Sequence, residues 1–179
     1  AGWVPARRGR PGRRPRRAPA ELRPRGSRSS GSRSVPAPAP APTADARVER
    51  LLKEVAAEYT VDEDGDFRLV YDIGGGRSQL VWIPSGTSKF GALEIRQIWS
   101  IAHRSKGPLP ADLANRLLDR NGAVILGAWL TEPAGDELGV IFAVQVAAET
   151  DALSLRSAIH AVATTADAME KELTAKDDF

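Results

Sequence analysis

Apolar and polar positions after residue 43 follow two periodicities, one typical of helices and one typical of strands. Apolar residues three or four apart predict a first helix that Thr43 or Asp45 can cap; they are Val48, Leu51, Leu52, Val55 and Tyr59. The same spacing predicts a long last helix capped by Asp151, with the middle of its stripe buried; the stripe is Leu155, Ile159, Val162, Ala166, Met169 and Leu173.

Five segments between these helices have the alternation or the apolar runs of strands. They cover residues 67–73, 79–83, 92–102, 124–130 and 138–146. A short helix is predicted at 111–120, where Pro110 suits the first turn and Gly122 the C-terminal cap. This order predicts an α+β domain over residues 44–179, with a five-stranded antiparallel sheet and helices packed mainly on one face.

Residues 1–43 differ in composition from the rest of the chain. They hold 11 arginines, no lysine, one acid and 9 of the 13 prolines, so they carry +10, whereas the whole chain carries +2. So few apolar residues cannot offset the entropy cost of ordering, which predicts a disordered Arg/Pro-rich tail. Its charge predicts an electrostatic arm for nucleic acid or anionic lipid, with candidate contacts Arg8, Arg13, Arg14, Arg16 and Arg17.

The tail has an alternative interpretation, because GC-rich DNA encodes arginine, proline, glycine and alanine in almost any reading frame. On that interpretation, which the start at Ala1 also favours, residues 1–43 are not a selected segment. The chain contains no run approaching ~18 apolar residues, so we expect no membrane span and a cytoplasmic location.

Two loops have some features of ion-binding or phosphate-binding motifs. Asp62, Asp64 and Asp66 alternate as in a calcium loop, but the sixth and twelfth positions of an EF-hand fall on Phe67 and Ile73. The glycines at 74–76 are followed by Arg-Ser and a strand, not by the Lys-Ser/Thr and helix of a phosphate loop. Both loops are therefore predicted to be turns.

Catalytic groups also lack the spacing that chemistry needs. The chain has no cysteine, which excludes disulfides and thiolate catalysis. His103 and His160 are isolated from any second ligand at metal spacing, and no G-x-S-x-G elbow is present. We therefore expect no enzyme activity, no metal and no cofactor.

Apolar residues occur at both odd and even positions of the strands, so both faces of the sheet carry them, which predicts a contact surface. Because tryptophan is large and apolar it usually lies in the core, which is the simplest interpretation of Trp82, Trp99 and Trp129. However, Trp82 has opposite parity to its apolar neighbours, and Ile98 has opposite parity to Trp99. Since the helices can cover only one face, the other face is expected to form a dimer or partner surface around Trp82, Ile98, Trp99 and Trp129.

Three segments carry a resemblance to a known family. They are VERLL at 48–52, DEDGDF at 62–67 and ADAME at 166–170 on the long last helix. With the order of elements, they resemble the YbjN family, whose members include bacterial sensory transduction regulators, and the wider type III secretion chaperone fold. The resemblance covers about residues 46–173. It implies a homodimer that binds an extended partner segment on its sheet and helix surfaces, without catalysis.

The sequence thus predicts a non-enzymatic protein-interaction module of chaperone, adaptor or regulatory type, expected to be a homodimer that binds a protein partner. The alternative is a nucleic-acid-associated regulator that uses the Arg-rich tail. A salt titration separates the two, because binding through the tail weakens as salt rises, whereas binding through an apolar face does not.

Overall fold

The structure of the protein is a computed structural model that describes residues 43–179. The predictions for the tail lie outside the described residues, including those for Arg8, Arg13, Arg14, Arg16 and Arg17.

The described chain forms three helices and a seven-stranded antiparallel sheet. The elements in chain order are α1 (Ala46–Glu54), β1 (Thr60–Val61), β2 (Phe67–Gly74), β3 (Arg77–Ile83), β4 (Ser88–Phe90), β5 (Leu93–Ser105), α2 (Ala111–Asn121), β6 (Ala128–Ala134), β7 (Glu137–Ala147) and α3 (Ala152–Thr174). The strand order is β1-β2-β3-β5-β7-β6, and β4 pairs with β5 beside this path. The predicted α+β class and antiparallel sheet are confirmed.

The predicted number of five strands is wrong, because β1 and β4 extend the sheet to seven. β1 has two residues and β4 has three. Segments this short cannot show a period-two alternation, so the sequence carries no signal for them.

The strand predicted from residue 124 begins later, at Ala128, because the preceding residue passes very close to β7. Gly127 has a φ of +92°, and a Cβ at this position would lie 2.6 Å from the carbonyl oxygen of Ala143. Only glycine tolerates both the backbone conformation and the contact. The apolar residues before Gly127 lie in the loop, where Ile125 is fully exposed.

Aspartates cap the first and last helices: Asp45 is the one of the two predicted candidates that caps α1, and Asp151 caps α3 as predicted. Asp45 accepts a hydrogen bond from the backbone N–H of Arg47 at 2.8 Å, and Asp151 accepts one from the backbone N–H of Ser154 at 2.8 Å. Each side chain satisfies an N–H group that has no partner within the helix.

All three helices pack on the same face of the sheet. Their buried side chains form one core with the inward residues of β2, β3, β5, β6 and β7. Ile159 and Val162 on α3 are 4% and 0% exposed, so their predicted burial is confirmed. We call the other side of the sheet the open face, because no helix within residues 43–179 packs on it.

None of the helices in the described part of the chain is both long and apolar enough to cross a bilayer.

Candidate functional site

The open face carries apolar residues from five neighbouring strands. Residues opposite each other in an antiparallel ladder project to the same side of the sheet, so the strand register identifies them. One row runs through Trp82, Trp99, Ala143 and Ala128 and ends on β2 at Arg68. The next row contains Val70, Leu80, Ile101, Ile141 and Leu130. The two rows make an apolar band across the sheet.

Two stacked tryptophans lie at the centre of this band. Trp82 on β3 pairs with Trp99 on β5, and their rings are 4.6 Å apart and within 4° of parallel. Both rings are half-buried and pack against a cluster of Ile101, Ile141 and Ala143. The pair is a rigid aromatic surface of the kind that anchors protein interfaces.

The edges of the open face are the most exposed. Val70 on β2 is 73% exposed and Leu130 on β6 is 37% exposed. The β4–β5 hairpin extends the face at one end, where Phe90 pairs with Leu93. These two side chains are 80% and 57% exposed. Exposing apolar surface to water costs roughly 25 cal/mol of free energy per Å², so covering this face is favourable.

The structure places two of the four predicted surface residues on the open face and two in the core. Trp82 and Trp99 are on the face. The prediction is wrong for Ile98, which is 0% exposed, and for Trp129, which is 5% exposed against α2 and Phe142. The reason is the strand register. Trp99 pairs with Trp82 and therefore lies on the open face, and its neighbour Ile98 projects to the opposite side, toward the helices.

The segment after α3, residues 175–179, reaches the open face and covers part of it. Phe179 packs against the cluster of Ile101, Ile141 and Ala143. The guanidinium carbon of Arg104 lies 5.7 Å from the centre of the Phe179 ring, a distance that permits a cation–π interaction. One end of the open face is therefore already occupied by the chain itself.

Arg77, the first residue of β3, holds this segment in place. Its Nε donates to Asp167 on α3 at 2.6 Å, and its Nη1 donates to the carbonyl oxygen of Lys176 at 2.7 Å. Its Nη2 lies 3.5 Å from a Glu170 carboxylate oxygen and 3.6 Å from one of Asp177. The oxygens of these three carboxylates lie within 4.8 Å of one another, and the guanidinium takes the place that a cation would need.

Glu170 is the most deeply buried of these carboxylates, at 0% exposed. Burial raises the pKa of Glu170 above its ordinary value, because the charged form loses its hydration. One of its oxygens accepts the backbone N–H of Asp178 at 2.5 Å, which ties the end of α3 to the segment after it.

A second charged network joins α1 to β5 and the adjoining loop. Arg96 is 2% exposed and pairs with Asp45 at 2.5 Å, and it also donates to the carbonyl oxygen of Pro84. Hydrogen bonds from Arg47, and then those from Arg96, hold the pKa of Asp45 well below its usual range. The side chain of Glu94 also pairs with Arg47, which lowers the pKa of Glu94 to about 2. These charges are neutralised by one another and stabilise the fold.

The loop aspartates predicted to form a turn do so. Asp62 accepts the backbone N–H groups of Asp64 and Asp66 at 3.0 and 2.9 Å, and its other oxygen pairs with Arg68. Asp66 accepts the backbone N–H of Ser85 at 2.8 Å. Their oxygens are used to hold the turn against the loop after β3.

A separate apolar cleft lies between α2 and β6. It has a volume of about 450 Å³ and is lined by Leu109, Leu117, Leu118 and Trp129 among others. The edge of β6 beside it is blocked, because the side-chain amide of Asn121 bonds both the N–H and the carbonyl of Trp129. Pro133 further along the strand has no N–H to offer. The cleft is thus poorly suited to a partner strand.

Sequence reasoning missed Arg77, Arg96 and Phe179. Arg96 shares its parity with Glu94 and Ser100, which is the pattern of a solvated strand face. Arg77 and Phe179 are isolated in the sequence, so no spacing connects them to the residues they contact. A contact between residues almost a hundred positions apart has no local signal.

No model of a known protein family matches the chain, and no curated protein matches it either.

Proposed function

We propose that the protein is a non-enzymatic protein-interaction module of adaptor, chaperone or regulatory type, and that it forms a homodimer through the open face. The observation that carries the proposal is the apolar band across five strands, with the stacked Trp82 and Trp99 at its centre. The resemblance to the YbjN and secretion-chaperone group supports the same class of function.

A second copy is the occupant that this surface fits best, for a geometric reason. Strands lie about 4.8 Å apart and rise about 3.3 Å per residue, so two rows across five strands and the hairpin pair span roughly 400 Å² of sheet. The part of this area formed by Ile101, Ile141 and Ala143 is already buried. A standard interface buries about 800 Å² per partner, so a dimer through this face would also bury residues around the apolar band. Two sheets can pack face to face at about 10 Å through interdigitating side chains of this kind.

The uncovered end of the open face is where the second copy is expected. Residues 175–179 cover the cluster near Arg104, whereas the hairpin residues Phe90 and Leu93 remain exposed at the other end. Trp82 and Trp99 lie between these ends. A partner that covers the hairpin and the tryptophan pair would bury the apolar side chains that the helices and residues 175–179 leave exposed.

The experiment is a measurement of molar mass by light scattering on the wild type and on a Phe90→Lys, Leu93→Lys double variant. Both side chains are exposed, so the substitutions should not disturb the core. We expect a dimer mass for the wild type and a monomer mass for the variant, because two buried lysines per copy would oppose association. The dissociation constant should rise at least about a hundredfold.

The matched control is Leu118→Lys with Ile125→Lys, two exposed apolar residues on α2 and in the loop after it, on the helix side of the sheet. This variant should keep the wild-type mass. A monomeric wild type would contradict the proposal. A dimer that survives the hairpin substitutions and is lost in the control would also contradict it, and would indicate an interface at α2.

A further inference from the structure

We propose that the Arg104 end of the open face is a peptide-binding seat for a partner segment in which acidic residues precede an aromatic one, and that residues 177–179 occupy it within the chain. The inference deepens the proposed function, on which it rests, because it gives the chemistry of a ligand for the same face.

The aromatic part of the seat is defined by its present occupant. Phe179 packs on a cluster whose members Ile101 and Ile141 are 5% and 1% exposed. These side chains come from the paired centres of β5 and β7, so the floor of the seat is rigid. An aromatic ring that leaves water for this floor gains burial and the cation–π contact with Arg104.

The acidic part of the seat is preorganised by the fold. Asp177 precedes the ring by two residues, and its carboxylate lies 3.6 Å from Arg77 and 3.4 Å from the backbone N–H of Ser78. Asp167 on α3 fixes the Arg77 guanidinium through its Nε. Its Nη1 donates to the carbonyl oxygen of Lys176, and its Nη2 lies between the carboxylates of Glu170 and Asp177, at 3.5 and 3.6 Å. A guanidinium held in this way binds a carboxylate at a smaller entropy cost than a free side chain does.

Residues 177–179 are held by contacts that involve side chains and not by a strand ladder. Residues 175–179 form no helix or strand, and Asp177 and Phe179 are exposed and half-buried, respectively. Their advantage over a separate peptide is the short connection to α3, which ends at Thr174 and gives a high effective concentration. A variant that weakens this intramolecular contact should therefore open the seat to a peptide added in solution.

The probe is a synthetic peptide with the sequence of residues 175–179, Ala-Lys-Asp-Asp-Phe, labelled at its N-terminus and followed by fluorescence anisotropy. It is titrated with the full wild-type chain and with the full chain carrying Phe179→Ala. We expect the variant to bind the peptide at least about tenfold more tightly, because its own segment no longer competes well. Asp177→Asn is a second variant, which keeps the ring and should open the seat to a smaller degree.

Three controls test the chemistry of the seat. Replacing the phenylalanine of the peptide by alanine, or both of its aspartates by asparagine, should each weaken binding at least about fivefold. Adding Arg104→Gln to the Phe179→Ala chain should weaken binding about two- to fivefold, as expected for an exposed cation–π contact. Equal affinities for the wild type and Phe179→Ala, no binding by Phe179→Ala, or control peptides that bind as well as the probe would each overturn the inference.

The same samples distinguish the seat from the dimer. If Phe179→Ala keeps the wild-type mass and binds the peptide, the segment is an exchangeable ligand of its own chain. If the mass falls and no peptide binds, Phe179 belongs to the contact between copies, which overturns the seat and leaves the dimer standing. A wild type that is a monomer, together with peptide binding by Phe179→Ala, would support the seat and contradict the dimer.

Discussion

Removal of the Asp45 side chain should cost far more stability than the loss of an ordinary helix cap. Asp45 caps α1 at the backbone N–H of Arg47, and the same carboxylate pairs with Arg96, whose side chain is 2% exposed. The cap alone is worth about 1 kcal/mol. Breaking a buried ion pair from one side costs about 3–5 kcal/mol, because a charge remains buried without its counterion.

The asparagine and alanine variants separate these contributions. Asp45→Asn keeps a capping oxygen and loses the charge, whereas Asp45→Ala loses both. We expect about 3–5 kcal/mol for Asp45→Ala. The carbonyl oxygen of Pro84 still accepts from Arg96, which keeps the loss from being larger. Urea unfolding followed by tryptophan fluorescence and by far-ultraviolet circular dichroism measures the difference.

Asp151 supplies the matched control. It caps α3 in the same way, at the backbone N–H of Ser154, but its other hydrogen bond goes to the Ser154 hydroxyl and not to a buried cation. Asp151→Ala should cost only about 1 kcal/mol. Adding Arg96→Met to Asp45→Ala should recover at least about 1 kcal/mol, because an apolar side chain needs no counterion. Equal losses for Asp45→Ala and Asp151→Ala would refute the assignment of a buried ion pair.

The pH dependence gives an independent check. Arg47 and then Arg96 lower the pKa of Asp45 in the folded state, so its contribution is fully present above the ordinary value of about 3.9. It is lost as the pH falls toward the lowered folded value. The wild type should therefore lose stability more steeply than Asp45→Asn between about pH 4 and pH 2. Parallel curves would contradict the lowered pKa.

Three further substitutions test the core, the β6 entry and the Arg77 cluster. Ile159→Ala should cost about 2–5 kcal/mol, because it leaves a cavity in the core, whereas Leu153→Ala on the exposed side of α3 should cost under about 0.5. Gly127→Ala should cost at least about 2 kcal/mol more than Gly135→Ala, since both have positive φ but only the first Cβ would meet β7. Glu170 has a raised pKa, so its stabilising contribution is present below its ordinary pKa and lost as pH rises through the raised value. Glu170→Gln should remove that loss and be at least as stable as the wild type at pH 8; a less stable variant would contradict the assignment.

Local patterns were sufficient for the elements that are long enough to repeat. The α3 stripe repeats over six positions, and its predicted centre is buried. Asp151 identified the start of α3, and Thr43 or Asp45 located the start of α1 to within two residues, because N-caps are drawn from a few residue types. The short β1 and β4 were missed, because two or three residues show no period. The delayed start of β6 was missed, because the close approach of Gly127 to β7 depends on a distant strand.

The sequence by itself determined the α+β class, the order of the main elements and the existence of apolar residues of both parities on the strands. Which residues share a face was decided only by the tertiary structure, because a one-residue shift in register moves every side chain of a strand to the other side. The pairing of Trp82 with Trp99 set that register, directed Ile98 into the core and assembled the open face. The position of Phe179 beside Arg104 likewise exists only after α3 has packed on the sheet.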